Sequence, residues 1–161
     1  QVDILEGAIA YVNTHPKYKS AYYAGGYPND GYGVCTDVVA YALKVAGYDL
    51  MELVSADIAM HADVYDIEVA DKNIDFRRVK NLYVFFNLNA ESLTTDIKDI
   101  KSWQGGDIVI FNNHIAIVSD RRNQDGIPYV IHHANPFQKT YEEDILEKHD
   151  DIRGHYRWNK G

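Results

Sequence analysis

Hydrophobic periodicity changes character midway along this chain, and that change restricts the folds open to it. Residues 2–13 carry Leu5, Ala8, Ile9 and Val12 at helical spacing. Val38, Tyr41, Ala42 and Val45 repeat the pattern, and Gly47 supplies a helix stop. Asp49 with Glu52 has the form of a capping box, ahead of the stripe Leu50, Leu53, Val54 and Ile58. Residues 63–80 lack a clear period, and "NLYVFF" (81–86) is read as helix. From residue 105 the signal becomes short, unbroken apolar runs: "GGDIVIF" (105–111), "HIAIVSD" (114–120) and "PYVIHHAN" (128–135). The Asp-Gly of "RRNQDGI" joins the last two as an antiparallel hairpin, and "IRGHYRW" is a final strand. Helices followed by a strand meander predict an α+β fold with N-terminal helices packed on an antiparallel sheet. Without a repeat or a Pro/Ser-rich linker, residues 1–161 are read as one domain.

Charge narrows the partners. Acidic residues outnumber basic ones by 24 to 16, and a net charge of -8 argues against binding a phosphate backbone or an anionic membrane surface. No apolar run is long enough to cross a bilayer. The chain opens on Gln rather than Met, and it is read as an exported protein whose targeting segment stood upstream.

The only cysteine is Cys35. It follows the Tyr-, Gly- and Asn-rich loop of residues 20–33 and opens the second helix. A helix N-terminus gathers unpaired N–H groups and the positive end of the dipole, both of which stabilise a thiolate. The preceding glycines permit a tight turn beneath the sulfur. A nucleophilic thiol needs a base, and the base needs an orienting partner. His114 opens a strand after Asn112 and Asn113, and His132 lies in the next strand. With residues 119–127 as the connection the two face each other, where cross-strand Cβ atoms stand about 5 Å apart. Register is not determined by this argument, so His133 and Asn135 remain alternative orienters, with His132 preferred.

Two other clusters bear on the chemistry. In "NIDFRRVKNL" (73–82), Arg77 and Arg78 suit either a bidentate clamp on a substrate carboxylate or an internal ion pair with Asp37 or Asp75. The internal pair is preferred. His114, His132, His133 and Asp107 are ligand types for zinc, yet adjacent strand residues point to opposite faces and no His-Glu-x-x-His is present. The reading therefore calls for no metal and no cofactor.

Tyr22-x-x-Gly25-Gly26, Cys35 opening a helix, "GD" before an apolar strand, "HIAIV" and "VIH" together resemble the NlpC-like cell-wall peptidases of the papain-like superfamily. "GVCTDVV", "NIDFRRVKNL", "VIHHAN" and "GHYRW" are more similar still to a bacterial domain-of-unknown-function family grouped with them. The resemblance spans about Tyr22 to Ala134. It implies a papain-like core, Cys35 as nucleophile, His114 as base and His132 as third residue, with Tyr22 near the oxyanion. It also implies a hydrolase that cleaves an amide in peptidoglycan stem peptides. Where those peptidases read Asp-Cys-Ser-Gly, this chain has Val34-Cys35-Thr36-Asp37, so Asp37 bears on the substrate pocket. Two alternatives remain on the same fold: a catalytically silent module holding a wall peptide or protein, and an acyl or amide transferase.

Overall fold

The computed structural model describes residues 1–159; Lys160 and Gly161, the end of the predicted domain, lie outside the described residues. Helix α1 (Val2–Val12) leads to a two-residue strand β1 (Lys17–Tyr18), which runs parallel to β2 (Tyr32–Gly33). Helices α2 (Cys35–Val45) and α3 (Leu50–Met60) follow, then two single turns, α4 (Ala62–Tyr65) and α5 (Lys72–Asp75), and α6 (Val79–Asn89). The strands β3 (Glu91–Leu93), β4 (Ile108–Ile110), β5 (Ile115–Arg122), β6 (Pro128–Ile131), β7 (Glu142–Glu143) and β8 (Gly154–Arg157) complete the chain. Those six form one antiparallel sheet in the order β3-β8-β4-β5-β6-β7. The fold is α+β. β4 to β7 form a meander, and β8 returns along the free edge of β4 to pair with β3 on its other side.

Both faces of the sheet are covered, which explains why its strands read as unbroken apolar runs rather than alternating ones. Ile108, Ile110, Ile115, Ile117 and Ile131 pack with the buried stripes of α1, α2, α3 and α6. Val109, Ala116, Val118 and Val130 turn to the opposite side, where Trp103, Phe111, Ile127 and Leu146 form a second cluster.

Helix starts depart from the sequence expectation in one detail. Asp49 caps α3 by accepting from the Met51 N–H, but Glu52 pairs with Lys72 of α5 instead of closing a box. Val34 caps helix α2: its N–H donates to Asp37 Oδ2 at 2.8 Å while the Asp37 N–H donates to the Val34 carbonyl. Gly33 must lack a side chain: a Cβ there would lie 2.4 Å from Tyr11 Oη and 3.1 Å from Asp37 Oδ2. Among the described residues no helix is long and apolar enough to cross a membrane.

Candidate active site

Cys35 is the first residue of α2, and α2 lies along β5. The amide of Ile115, at the start of β5, lies near the sulfur and favours its charged form, as do the amides of Thr36 and Cys35 itself. The thiol thus lies against the residue that follows His114. Its surroundings are apolar enough to matter. Burial pushes the thiol up to about 11, and the Asp37 carboxylate adds to the rise, against the pull of the three amides. The helix N-terminus therefore does not by itself produce a resting thiolate, because loss of water outweighs the amide dipoles.

The histidines are joined. His114 Nε2 and His132 Nδ1 are 2.7 Å apart, and His132 Nε2 lies 2.8 Å from Glu143 Oε1. Burial holds His114 neutral, its pKa lowered to about 3, with His132 and His149 opposing its charge further. Burial likewise lowers His132 to about 4, with His149 and His133 adding to the effect. These facts assign the protons. The Glu143 carboxylate accepts, so neutral His132 carries its proton on Nε2 and presents a bare Nδ1. His114 must then donate from Nε2, which leaves its Nδ1 as a free lone pair, the form a general base requires.

The two histidines meet diagonally. Ile117 faces Ile131 and Val118 faces Val130, so the register places His132 across from Ala116, two residues from His114. An irregularity between Val118 and Arg122 sets this offset. A shift of two keeps both rings on the same face, so contact survives. His133, pointing to the other face, stacks edge-on against Tyr18 and Tyr141 at 5.2 Å and 5.3 Å. Asn135 folds back on its own loop, accepting from the Phe137 N–H. Neither takes the orienting position.

Asp37 and Arg77 form an internal pair. Arg77 Nε and Nη2 donate to Asp37 Oδ1 and Oδ2, each at 2.9 Å, with the two side chains 2% and 0% exposed. Arg77 Nη1 also donates to the Ala21 carbonyl, and Thr36 Oγ1 donates to the Arg77 carbonyl. The guanidinium thereby ties the tyrosine-rich loop and the turn before α6 to the base of α2. Arg78 precedes α6 and borders a separate hollow of about 470 Å³ with Asp71, Asp75 and Lys80. Tyr22 is exposed, and its hydroxyl is engaged by Asp71 and Asn73 at the start of α5. Asp107 accepts from Arg157 and meets His155 at 2.6 Å, so it takes part in a different network from the three histidines.

Three neighbours of the site escaped sequence reasoning. Glu143 sits on a two-residue strand formed by a returning loop, with no periodic signal. Tyr18 reaches the site through β1: it pairs with Gly33, two residues before Cys35, and burial, then the neighbouring Cys35, raises its hydroxyl. His149 Nδ1–H donates to the Asp151 carboxylate at 2.7 Å, and the ring packs on Phe111, which in turn stacks on His114.

The family described as "Domain of unknown function (DUF1287)" matches this chain over residues 5–158. The "Uncharacterized protein YijF" of Escherichia coli (strain K12) is 37% identical over 152 residues, covering 89% of this chain and 72% of that protein. No solved structure matches the fold significantly.

Proposed function

The chain belongs to the DUF1287 family, and from that premise we propose that it is a cysteine hydrolase that cleaves an amide bond in peptidoglycan stem peptides. The observation that carries the reading is the chain of ring contacts His114–His132–Glu143, begun by the residue just before Ile115, whose amide adjoins the thiol at the α2 N-terminus. The resemblance to NlpC-like, papain-like peptidases supports it, and with it an exported location.

In the resting site both partners are neutral: a thiol raised by burial and an imidazole lowered by burial. His114 Nδ1 takes the thiol proton as the sulfur attacks the amide carbonyl. The resulting imidazolium is stabilised through His132 to Glu143. The oxyanion is received by the Cys35 N–H, a donor already oriented at the helix start. His114 then protonates the leaving amine, and a water activated by the same nitrogen releases the acyl group. No cofactor enters this sequence.

The test is release of new amines from soluble muropeptides. Cys35→Ala and His114→Ala are expected to abolish it, and cleavage by Cys35→Ala at the parent's rate overturns the assignment. The raised thiol favours one second reading, a silent module that holds a wall peptide. That reading gains if Cys35 alkylates no faster with a muropeptide bound than without it. Added amine acceptors that appear in the product would make the chain a transferase.

A further inference from the structure

A hollow of about 370 Å³ lies between the β1 approach and the loop after β6, lined among others by His15, Lys17, Tyr18, Tyr32, His133 and Asn135. Resting on the hydrolase reading above, we propose that this hollow is the subsite that holds a carboxylate of the peptide substrate. Its walls carry donors and a cation and no Asp or Glu among the described residues, in a chain with 24 acidic residues and a net charge of -8. Lys17 is exposed and enters no ion pair among the described residues. A lone ammonium among neutral donors matches one carboxylate better than a dianion.

His133 gives an independent sign of a ligand. It is 3% exposed, its Nδ1 is buried without a partner, and neither ring nitrogen has a hydrogen bond among the described residues. Buried polar nitrogens are ordinarily satisfied, and this ring, which lines the hollow, has no protein partner that a ligand would have to displace. The wall is also built in advance. Gln138 accepts from the Ala134 N–H and donates to the His132 and Thr140 carbonyls, which fixes the loop. Tyr141 Oη donates to the Pro16 carbonyl and fastens the opposite side. His15, between them, holds a left-handed backbone at φ 54, a strained conformation for a residue with a side chain.

The position follows from the fold. Tyr18 of the hollow pairs with Gly33, two residues before Cys35, and His133 follows the His132 of the relay. Tyr18, whose hydroxyl is raised by burial and by Cys35, thus links the hollow to the thiol.

The probes are an N-acetyl dipeptide as free acid and as its C-terminal carboxamide, titrated into Cys35→Ala protein while the histidine ring signals are followed by NMR. The acid is expected to shift His133 and to bind about tenfold more tightly than the carboxamide. Lys17→Gln is expected to abolish that preference while leaving carboxamide binding as it was. Equal binding of acid and carboxamide, no binding by either, or a preference untouched by Lys17→Gln overturns the subsite. Acid preference in a protein whose parent cleaves no muropeptide keeps the subsite and removes the hydrolase. Cleavage without acid preference does the reverse.

Discussion

The pair Asp37–Arg77 offers a prediction whose size follows from the geometry. Asp37 accepts two hydrogen bonds from the guanidinium and one from the Val34 N–H, and both side chains are all but removed from solvent. No screening discount applies at such depth. Asp37→Ala strands the Arg77 charge in the interior, a change that costs about 3–5 kcal/mol in buried pairs. For a chain of this length that is roughly 6–20 °C in Tm. Arg77→Ala strands the carboxylate and should cost a similar amount. The double variant Asp37→Leu/Arg77→Met removes both charges and should cost clearly less than the two single losses added together, because the second change relieves the charge exposed by the first. Urea unfolding of the parent, both singles and the double measures each step. Single losses below about 1 kcal/mol, the range of a solvated surface pair, would refute the account. So would singles that simply add, since Arg77 would then not be tied to Asp37.

Two further outcomes follow from the relay. Glu143→Ala removes the acceptor that fixes the His132 proton on Nε2, so His114 Nδ1 is no longer held bare. Turnover should fall by roughly 10- to 100-fold at an unchanged melting temperature, and an unchanged kcat contradicts the role. The second outcome concerns acid. His114 and His132 have pKa values in the fold below those of the unfolded chain, so the unfolded state binds more protons and stability rises with pH. Their contribution is complete above about pH 6.5 and is lost as the pH falls towards 4. Thermal melts at pH 7.5 and pH 5 should therefore show the lower value at pH 5, and His132→Gln should narrow the gap; a melting temperature that rises on acidification contradicts buried neutral rings.

Elements with a long-range pattern were legible in the sequence, and those made by their neighbours were not. The helices at Val2, Cys35 and Leu50, and the strands around Ile108, Ile115 and Pro128, stand where the apolar spacing puts them. "NLYVFF" falls inside α6 because its one buried stripe, with Leu82, Phe85 and Phe86, meets the core at helical spacing. β1, β2 and β7 are two residues each and carry no period to detect. The same limit governs the site. Cys35, His114 and His132 were singled out as candidates from residue type and strand position, but the diagonal contact of the two rings depends on an irregularity in β5 that the sequence does not mark. Glu143 and Tyr18 were missed because both lie on two-residue strands. Tyr22 has the expected spacing from Gly25, yet its hydroxyl is taken up by Asp71 and Asn73, a pairing across 49 and 51 residues. The thiol was misjudged in one respect: helix position is visible in a sequence, whereas depth of burial, which pushes Cys35 up, is a property of the packed fold.

The central claim is that the sulfur of Cys35 carries the acyl group, and trapping that adduct tests it most directly. Soluble muropeptides are mixed with the protein, quenched in acid within the first turnover and examined by intact and peptide mass spectrometry. The account predicts a thioester on Cys35 with the mass of the acyl portion of the cleaved peptide, lost in neutral hydroxylamine and missing from His114→Ala. Cleavage that proceeds with no adduct on Cys35 and persists in Cys35→Ala would contradict it.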